Sequence, residues 1–503
     1  MKKNIYMNED NEHFYQFHSA DDMSEKGLRS LVDHYADTGC VKGILFCVNL
    51  QRALYDSKVW ELFRDIRNEY PYAYTKNLDL LSERGLDHFK IWLDQAKKRG
   101  VEGWLTMRMN DSHGLKETAI GDTSNRCYAW ASEYWKKHPE YRRAPHRYER
   151  DWEGGFNYAV KEVREYHLAL IKELFERYDM FGLECDWMRW GLMFAPGFER
   201  EGQKYLTEFV LEVRKLADAA EKKYGHPVKL AHRLPFHPET AFNAGFDFTE
   251  WHRLGCVDMI TLAHFCDHIS FDPNIALWRK LVPGCILNVQ TEKRTSPYPG
   301  AAAPEDPAII YGASSCAWER EADNLYLFNF CYRETTEMDE LEQLMQTISD
   351  PETLKQYPRR TIPASSGFYI AGEPNGATLP VPLIEPAPAF DIGRMEATIT
   401  LRLNAGLFDP AEKAYIKIGF DSATNPDIAS ELKVWCNTTE LKNPEKERRS
   451  EGKWIYSKDT EFVLSYPVPA DILHGSFNAL EVLPPAVPGK LVWAELYFQG
   501  SKK

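Results

Sequence analysis

No apolar run in this 503-residue sequence approaches the ~20 residues that a helix needs to cross a bilayer, so a membrane-spanning role is not expected. The start, MKKNIYMNEDNEHFY, is basic, but Asn8, Glu9 and Asp10 interrupt it before an apolar core can form. It is not expected to act as a signal peptide. The ten cysteines contain no Cys-x-x-Cys pair, and Cys47, Cys185 and Cys331 sit inside apolar runs. Buried, reduced thiols in a cytoplasmic protein follow from this, and the sequon at Asn437 is then incidental. His-Glu-x-x-His and Gly-x-Gly-x-x-Gly are absent, as is a phosphate-binding P-loop. Zincin-type hydrolysis and dinucleotide chemistry are therefore not expected, and no cofactor or metal is assigned. Positive charge is also in short supply. A net charge of -14 repels long polyanions at a distance, which argues against a nucleic-acid partner.

What is present is a repeated unit of strand and amphipathic segment over residues 1–350. Strands are expected at 4–9, 43–49, 103–110, 182–187, 228–234, 259–265, 285–292 and 324–330. Between them, segments such as 163–178 place Val163, Tyr166, Leu170, Ile171, Leu174, Phe175 and Tyr178 on one helical face. Helices stop at Gly100, Gly225 and Gly255, just ahead of strands. Eight alternating units predict a (β/α)8 barrel, with a doubly wound sheet as the alternative. An insertion at 112–156, carrying Trp130, Trp135 and Trp152, is expected to form a lid or wall over the C-terminal face of that barrel. Prolines crowd residues 351–390, which read as a linker. Residues 391–503 show short alternating runs and predict a β-sandwich, either binding glycan or bracing the barrel or a homo-oligomer. The closing Glu495-Leu496-Tyr497-Phe498-Gln499-Gly500 resembles a protease-tag remnant but is read as a native last strand.

Barrel enzymes carry their chemistry at the C-terminal strand ends. In the fourth strand, alternation turns Glu184 and Asp186 inward, where two carboxylates repel each other and lose hydration. Either they do catalytic work, with Asp186 nearer the open end and Glu184 as its understudy, or they form internal salt bridges with Arg108 or Arg233. In the seventh strand Asn288, Gln290 and Glu292 share the inner face. Glu292 at the mouth either faces Asp186 as a catalytic partner or pairs with Lys293 or Arg294. Arg108, Asn110, His113, Arg189, Arg233 and His264 are candidates to line a sugar subsite, with Trp187 or Trp190 as a stacking platform. Asp10, Asn49, Gln290 and Asn329 complete the polar ring, and Asp267 and His268 lie beyond the sixth strand.

Several of these segments carry a family resemblance. Asn8-Glu9-Asp10, Met107-Arg108-Met109-Asn110-Asp111-Ser112-His113, Tyr134-Trp135 with His138-Pro139-Glu140-Tyr141, Asn157-Tyr158 with Val163-Arg164 and Tyr166-His167, Gly182 to Trp190, and Asp323 to Phe330 resemble the bacterial glycoside-hydrolase-like barrels related to the glycosyl-hydrolase-like family ten. The likeness covers most of residues 1–350. It departs where Met180-Phe181-Gly182 replaces Asp-Gly and where Cys185 replaces an aliphatic residue. It implies a barrel with a sandwich appendage, a carbohydrate substrate, and a catalytic Asp at the end of the fourth strand, which maps onto Asp186. Glu292 comes from geometry alone. The combined expectation is O-glycoside hydrolysis by Asp186 and Glu292. The rival is a non-hydrolytic carbohydrate-binding or lyase- or isomerase-type barrel whose carboxylates anchor hydroxyls or a divalent ion.

Overall fold

The computed structural model describes residue 2 and residues 4–146, 151–264, 268–298, 300–330, 335–363, 379–383, 398–451, 454–485 and 487–502. Eight parallel strands close into a barrel: β1 (Ile5–Glu9), β2 (Val41–Cys47), β3 (Glu102–Arg108), β4 (Gly182–Asp186), β5 (Lys229–Pro235), β6 (Met259–Ala263), β7 (Ile286–Thr291) and β8 (Asn324–Leu327). β8 pairs back onto β1, which leaves the barrel no free edge. Closure excludes the doubly wound alternative. Phe265, expected within the sixth strand, and Asp267 beyond it lie outside the described residues.

Large side chains fill the barrel floor. Tyr6, Leu45, Trp104, Ala231, Met259, Tyr326 and Phe328 pack together inside it. Two glycines make room for them. A Cβ on Gly182 would lie 2.3 Å from the Trp104 ring, and one on Gly43 would lie 2.6 Å from Tyr6. The outer layer follows the helical periodicity: in Lys161–Arg177 the residues Val163, Leu170, Ile171, Leu174 and Phe175 are buried against the barrel. Gly225, at φ 77°, ends the long helix Glu199–Tyr224 in the left-handed region that favours glycine, and β5 follows within a few residues.

Beyond the barrel lie two antiparallel sheets. The strands are β9 (Arg359–Thr361), β10 (Val381–Pro382), β11 (Ile399–Asn404), β12 (Ala414–Phe420), β13 (Lys433–Cys436), β14 (Thr439–Leu441), β15 (Glu445–Arg448), β16 (Phe462–Val468), β17 (Phe477–Leu483) and β18 (Lys490–Phe498). One sheet runs β10-β18-β12-β16-β15 with β9 also on β18, and the other runs β11-β17-β13-β14. The tag-like ending is thus part of an interior strand, flanked by β12 and by β9 and β10. The stretch expected to be a linker also contributes to the fold, because β9 and β10 belong to this sheet and Pro351–Leu354 is a helical turn. Asn437 spends its side chain on Ile472 O, Asn478 Oδ1 and Ala479 N, so the sequon amide is already engaged.

The sandwich is seated on the barrel through charge as well as apolar contact. Arg360, fully buried, donates to Glu495 at 2.6 and 2.9 Å and to Asp306 at 2.8 Å. Trp493 Nε1 donates to the same Glu495 oxygen. The helix Pro307–Glu319 presses on β9 so closely that a Cβ at Gly312 would lie 2.1 Å from Arg360 O.

Candidate active site

Parallel pairing sets the side chains of the barrel mouth in register. Thr106 lies beside Glu184, Arg108 beside Asp186, and Asp186 beside Arg233. Asp186 is buried, and its two oxygens are treated differently. Oδ1 accepts from Arg233 Nη1 at 2.7 Å and from the backbone N–H groups of Met188 and Arg189, both at 3.0 Å. Oδ2 takes no hydrogen bond from the described residues, and Arg189 Nε lies 3.9 Å from it. The interior ion pair with Arg233 is therefore real, and it fixes the carboxylate while leaving one oxygen uncommitted.

Glu184 sits one layer deeper and is fully sealed. Its Oε1 accepts from Thr106 Oγ1 at 2.8 Å and Tyr326 OH at 2.9 Å. Oε2 is buried with no hydrogen-bond partner among the described residues. Burial, and then the charge of Asp186, push this carboxyl up to about 7.

A lattice of alternating charge surrounds the pair. Asp10 accepts from Arg108 and from Arg189, the latter at 3.0 Å. Burial opposes ionisation there, but the two guanidinium charges outweigh it and hold Asp10 well below the usual carboxylate range. Arg108 also donates to Asp111 at 2.7 Å, and Asp111 in turn meets His113 Nδ1 at 3.0 Å. Burial opposes the Asp111 anion too, yet His113 and Arg108 keep it well below its ordinary value. Phe328 lies under two of the arginines, with the guanidinium carbons of Arg233 and Arg189 at 3.9 and 4.5 Å from its ring centroid. Arg233 Nε donates to Gln290 Oε1 at 2.7 Å, and Gln290 Nε2 donates to Glu292 Oε1 at 2.9 Å. A continuous path, Asp186–Arg233–Gln290–Glu292, thus joins the two candidate carboxylates. Glu292 is buried rather than solvated, only 2% exposed.

Other candidates fall elsewhere. Trp187 is not a rim platform. It points into the helix layer, donating to His232 Nδ1 at 3.0 Å and packing on Tyr158, Phe209 and Trp251. Asn49 and Asn110 are consumed by backbone. Asn49 bonds Arg108 N and O and Leu50 O, and Asn110 bonds Phe156 N and O and Leu192 O. His264 stacks on Phe236 at 4.5 Å, and its carbonyl accepts from Gln290 Nε2 at 3.3 Å. Asn329 follows β8 in a left-handed conformation, φ 58°. Trp190 is the ring that stays near the rim. It is held at φ 68°, stacked with Trp152 of the insertion at 5.9 Å and set edge-on to His113 at 5.2 Å. A non-glycine residue held there stores strain of the kind that collects at ligand-binding loops. The described residues of the insertion lie against the C-terminal face, held through Asn110 to Phe156 and braced internally by Trp135 Nε1, which donates to Gly154 O at 2.7 Å.

No family model matches the chain, and no curated protein matches it. Among solved structures, it is similar to α-L-fucosidase isoenzyme 2 from Paenibacillus thiaminolyticus, with 11% identity over 72% of this chain and 51% of that one and a TM-score of 0.42. It is also similar to a GH36 α-galactosidase from Geobacillus stearothermophilus solved with stachyose, at 12% identity, 96% and 56% coverage and TM-score 0.37. A cell-surface chitinase from a Paenibacillus species gives 11%, 98% and 52%, and 0.40. The chain spans about half the length of each. The fold itself is established by the closed sheet.

Sequence reasoning passed over Tyr326, Phe328 and Asp111. Tyr326 and Phe328 alternate with Leu325 and Leu327, so the period-2 rule applied to β8 would have turned them inward. In an apolar strand they read as ordinary core. Asp111 stood inside a quoted motif, but nothing local marks it as the partner of Arg108. Two cavities of about 740 and 660 Å³ also lie against the sandwich. The first is lined by Arg360, Lys417 and Tyr497 and the second by Arg320, Arg402 and Phe477, and neither includes the inward-facing carboxylates.

Proposed function

We propose that the chain is a glycoside hydrolase of the retaining type, acting on a short glycoside or oligosaccharide in the cytoplasm. Asp186 is the nucleophile and Glu292 the acid/base. The observation that carries this reading is the asymmetry of Asp186: one oxygen is clamped by a guanidinium and two amides, and the other is left without a donor. A carboxylate fixed in this way presents one lone-pair-bearing atom in one orientation, which is what attack on an anomeric carbon needs. Glu292 would protonate the departing oxygen and then activate water. His113, Arg189 and the Trp190–Trp152 pair are suited to hold sugar hydroxyls and a ring face. The proposed placement in the glycosyl-hydrolase-like family ten rests on the quoted sequence motifs alone.

A second reading is favoured by the Asp186–Arg233 ion pair. In it the carboxylates serve only as anchors in a non-hydrolytic carbohydrate-binding barrel. A panel of aryl glycosides separates the two. Hydrolysis by the wild type should fall by about 10³-fold or more in Asp186→Asn and by about 10² to 10⁴-fold in Glu292→Gln. Turnover that survives both substitutions, or its absence across the panel, favours the second reading.

A further inference from the structure

Glu184 is an inward carboxyl that the proposed reaction does not use, and its surroundings set it apart from the three aspartates of the mouth. Asp10, Asp111 and Asp186 each receive a guanidinium hydrogen bond; Glu184 receives none. Arg233 is the nearest cation across the β4–β5 pair, but its Nη1 and Nε are spent on Asp186 and Gln290. The two hydroxyl donors, Thr106 from β3 and Tyr326 from β8, both converge on Oε1. Asn8 of β1 donates to Tyr326 OH rather than to the carboxyl. Burial and neighbouring negative charge hold the Tyr326 hydroxyl well above its ordinary value, so it keeps the proton it donates. Oε2 faces no donor at all among the described residues. An anion in that pocket would leave a charged oxygen with neither water nor a hydrogen bond, which is costly; a carboxylic acid leaves only a neutral hydroxyl.

We propose that Glu184 is a positioning residue that works as a neutral acid, keeping Asp186 the sole negative charge on Arg233 and thereby keeping the Asp186 clamp closed. The charged and titratable groups that face it are Asp186 on its own strand, Arg233 on β5 and Tyr326 on β8. Loss of its proton places a second carboxylate beside Arg233. The guanidinium is then shared, and Asp186 loses part of the interaction that orients its Oδ2. The elevated proton affinity of the Glu184 carboxyl agrees with this arrangement.

The consequence for activity rests on the hydrolase reading, but the protonation state does not, and the test separates them. Infrared spectra of protein carrying 13C-labelled glutamate should show the C=O stretch of a buried carboxylic acid below neutral pH. The band should be absent from Glu184→Gln and should fade in the wild type above neutral pH. Tyr326→Phe removes a donor to Oε1, so there the band should persist to higher pH. With a dinitrophenyl glycoside, whose leaving group needs no proton from Glu292, kcat/KM of Glu184→Gln should hold at alkaline pH where the wild type has fallen by about tenfold or more. An acid band that is missing below neutral pH overturns the proposal. So does an alkaline limb that Glu184→Gln leaves in place while the band titrates as expected. If no glycoside is turned over, the hydrolase reading fails while the infrared result still decides the state of Glu184.

Discussion

Asp186 and Glu184 lie two residues apart on one strand, yet their environments drive them to opposite roles. Three donors meet at one oxygen of Asp186, whereas Glu184 is sealed against hydroxyls alone. The contrast has a thermodynamic signature. Glu184 has an ordinary value of 4.5 and is raised to about 7 in the fold. Between those values the folded chain keeps a proton that the unfolded chain gives up. Its contribution is therefore whole below about 4.5 and is lost as pH rises through about 7. The slope of unfolding free energy against pH across this window should flatten in Glu184→Gln, as read from urea midpoints. An identical slope in both proteins would mean that Glu184 ionises normally. The sequence places both carboxyls on the inner face and offers Arg108 or Arg233 as ion-pair partners. It could not apportion the partners, because Arg233 reaches Asp186 rather than Glu184 only through the stagger of β5 on β4.

Among the elements, the insertion between β3 and β4 is fastened to the strand tips by one side chain in particular. Asn110 holds Phe156 N, Phe156 O and Leu192 O together at 2.8 to 3.0 Å. Asn110→Ala would strand those buried peptide groups, each at about 1–3 kcal/mol. A lower melting temperature and faster proteolysis within residues 112–156 are expected, and unchanged cleavage kinetics would show that the wall is held by other contacts. All eight barrel strands were legible because period-2 and period-3.6 patterns alternate cleanly between glycine stops. Trp187 and Asn110 were harder. A tryptophan one residue past an inward aspartate reads equally well as platform or packing, and only the His232 partner and the Trp251 contact decide it. An asparagine at a strand tip gives no sign in sequence of whether it faces ligand or backbone. β9 was hidden among prolines, since three residues are too few to show a period.

Across the whole molecule, the half-buried Asp306 beside the barrel meets the buried Arg360–Glu495 pair of the sandwich. Removing one partner of such a pair leaves a charge in an apolar setting. Glu495→Gln leaves Arg360 paired with Asp306 alone and should destabilise the protein by about 1–3 kcal/mol. Differential scanning calorimetry would show a lower transition, and an unaltered one would mean that the Arg360–Glu495 pair, which joins β9 to β18 within one sheet, adds little to stability. The Asp306–Arg360 pair thus ties the sandwich to the barrel through a segment that reads in sequence as a proline-rich linker.

The central claim is that Asp186 Oδ2 is the attacking atom. It is tested most directly by incubating the protein with 2-deoxy-2-fluoro glycosides bearing an activated leaving group and mapping any adduct by peptide mass spectrometry. The account predicts one sugar added to the peptide containing Gly182 to Arg189, located on Asp186 and absent from Asp186→Asn. An adduct on any other residue, or none with a sugar whose aryl glycoside the enzyme hydrolyses, would contradict it.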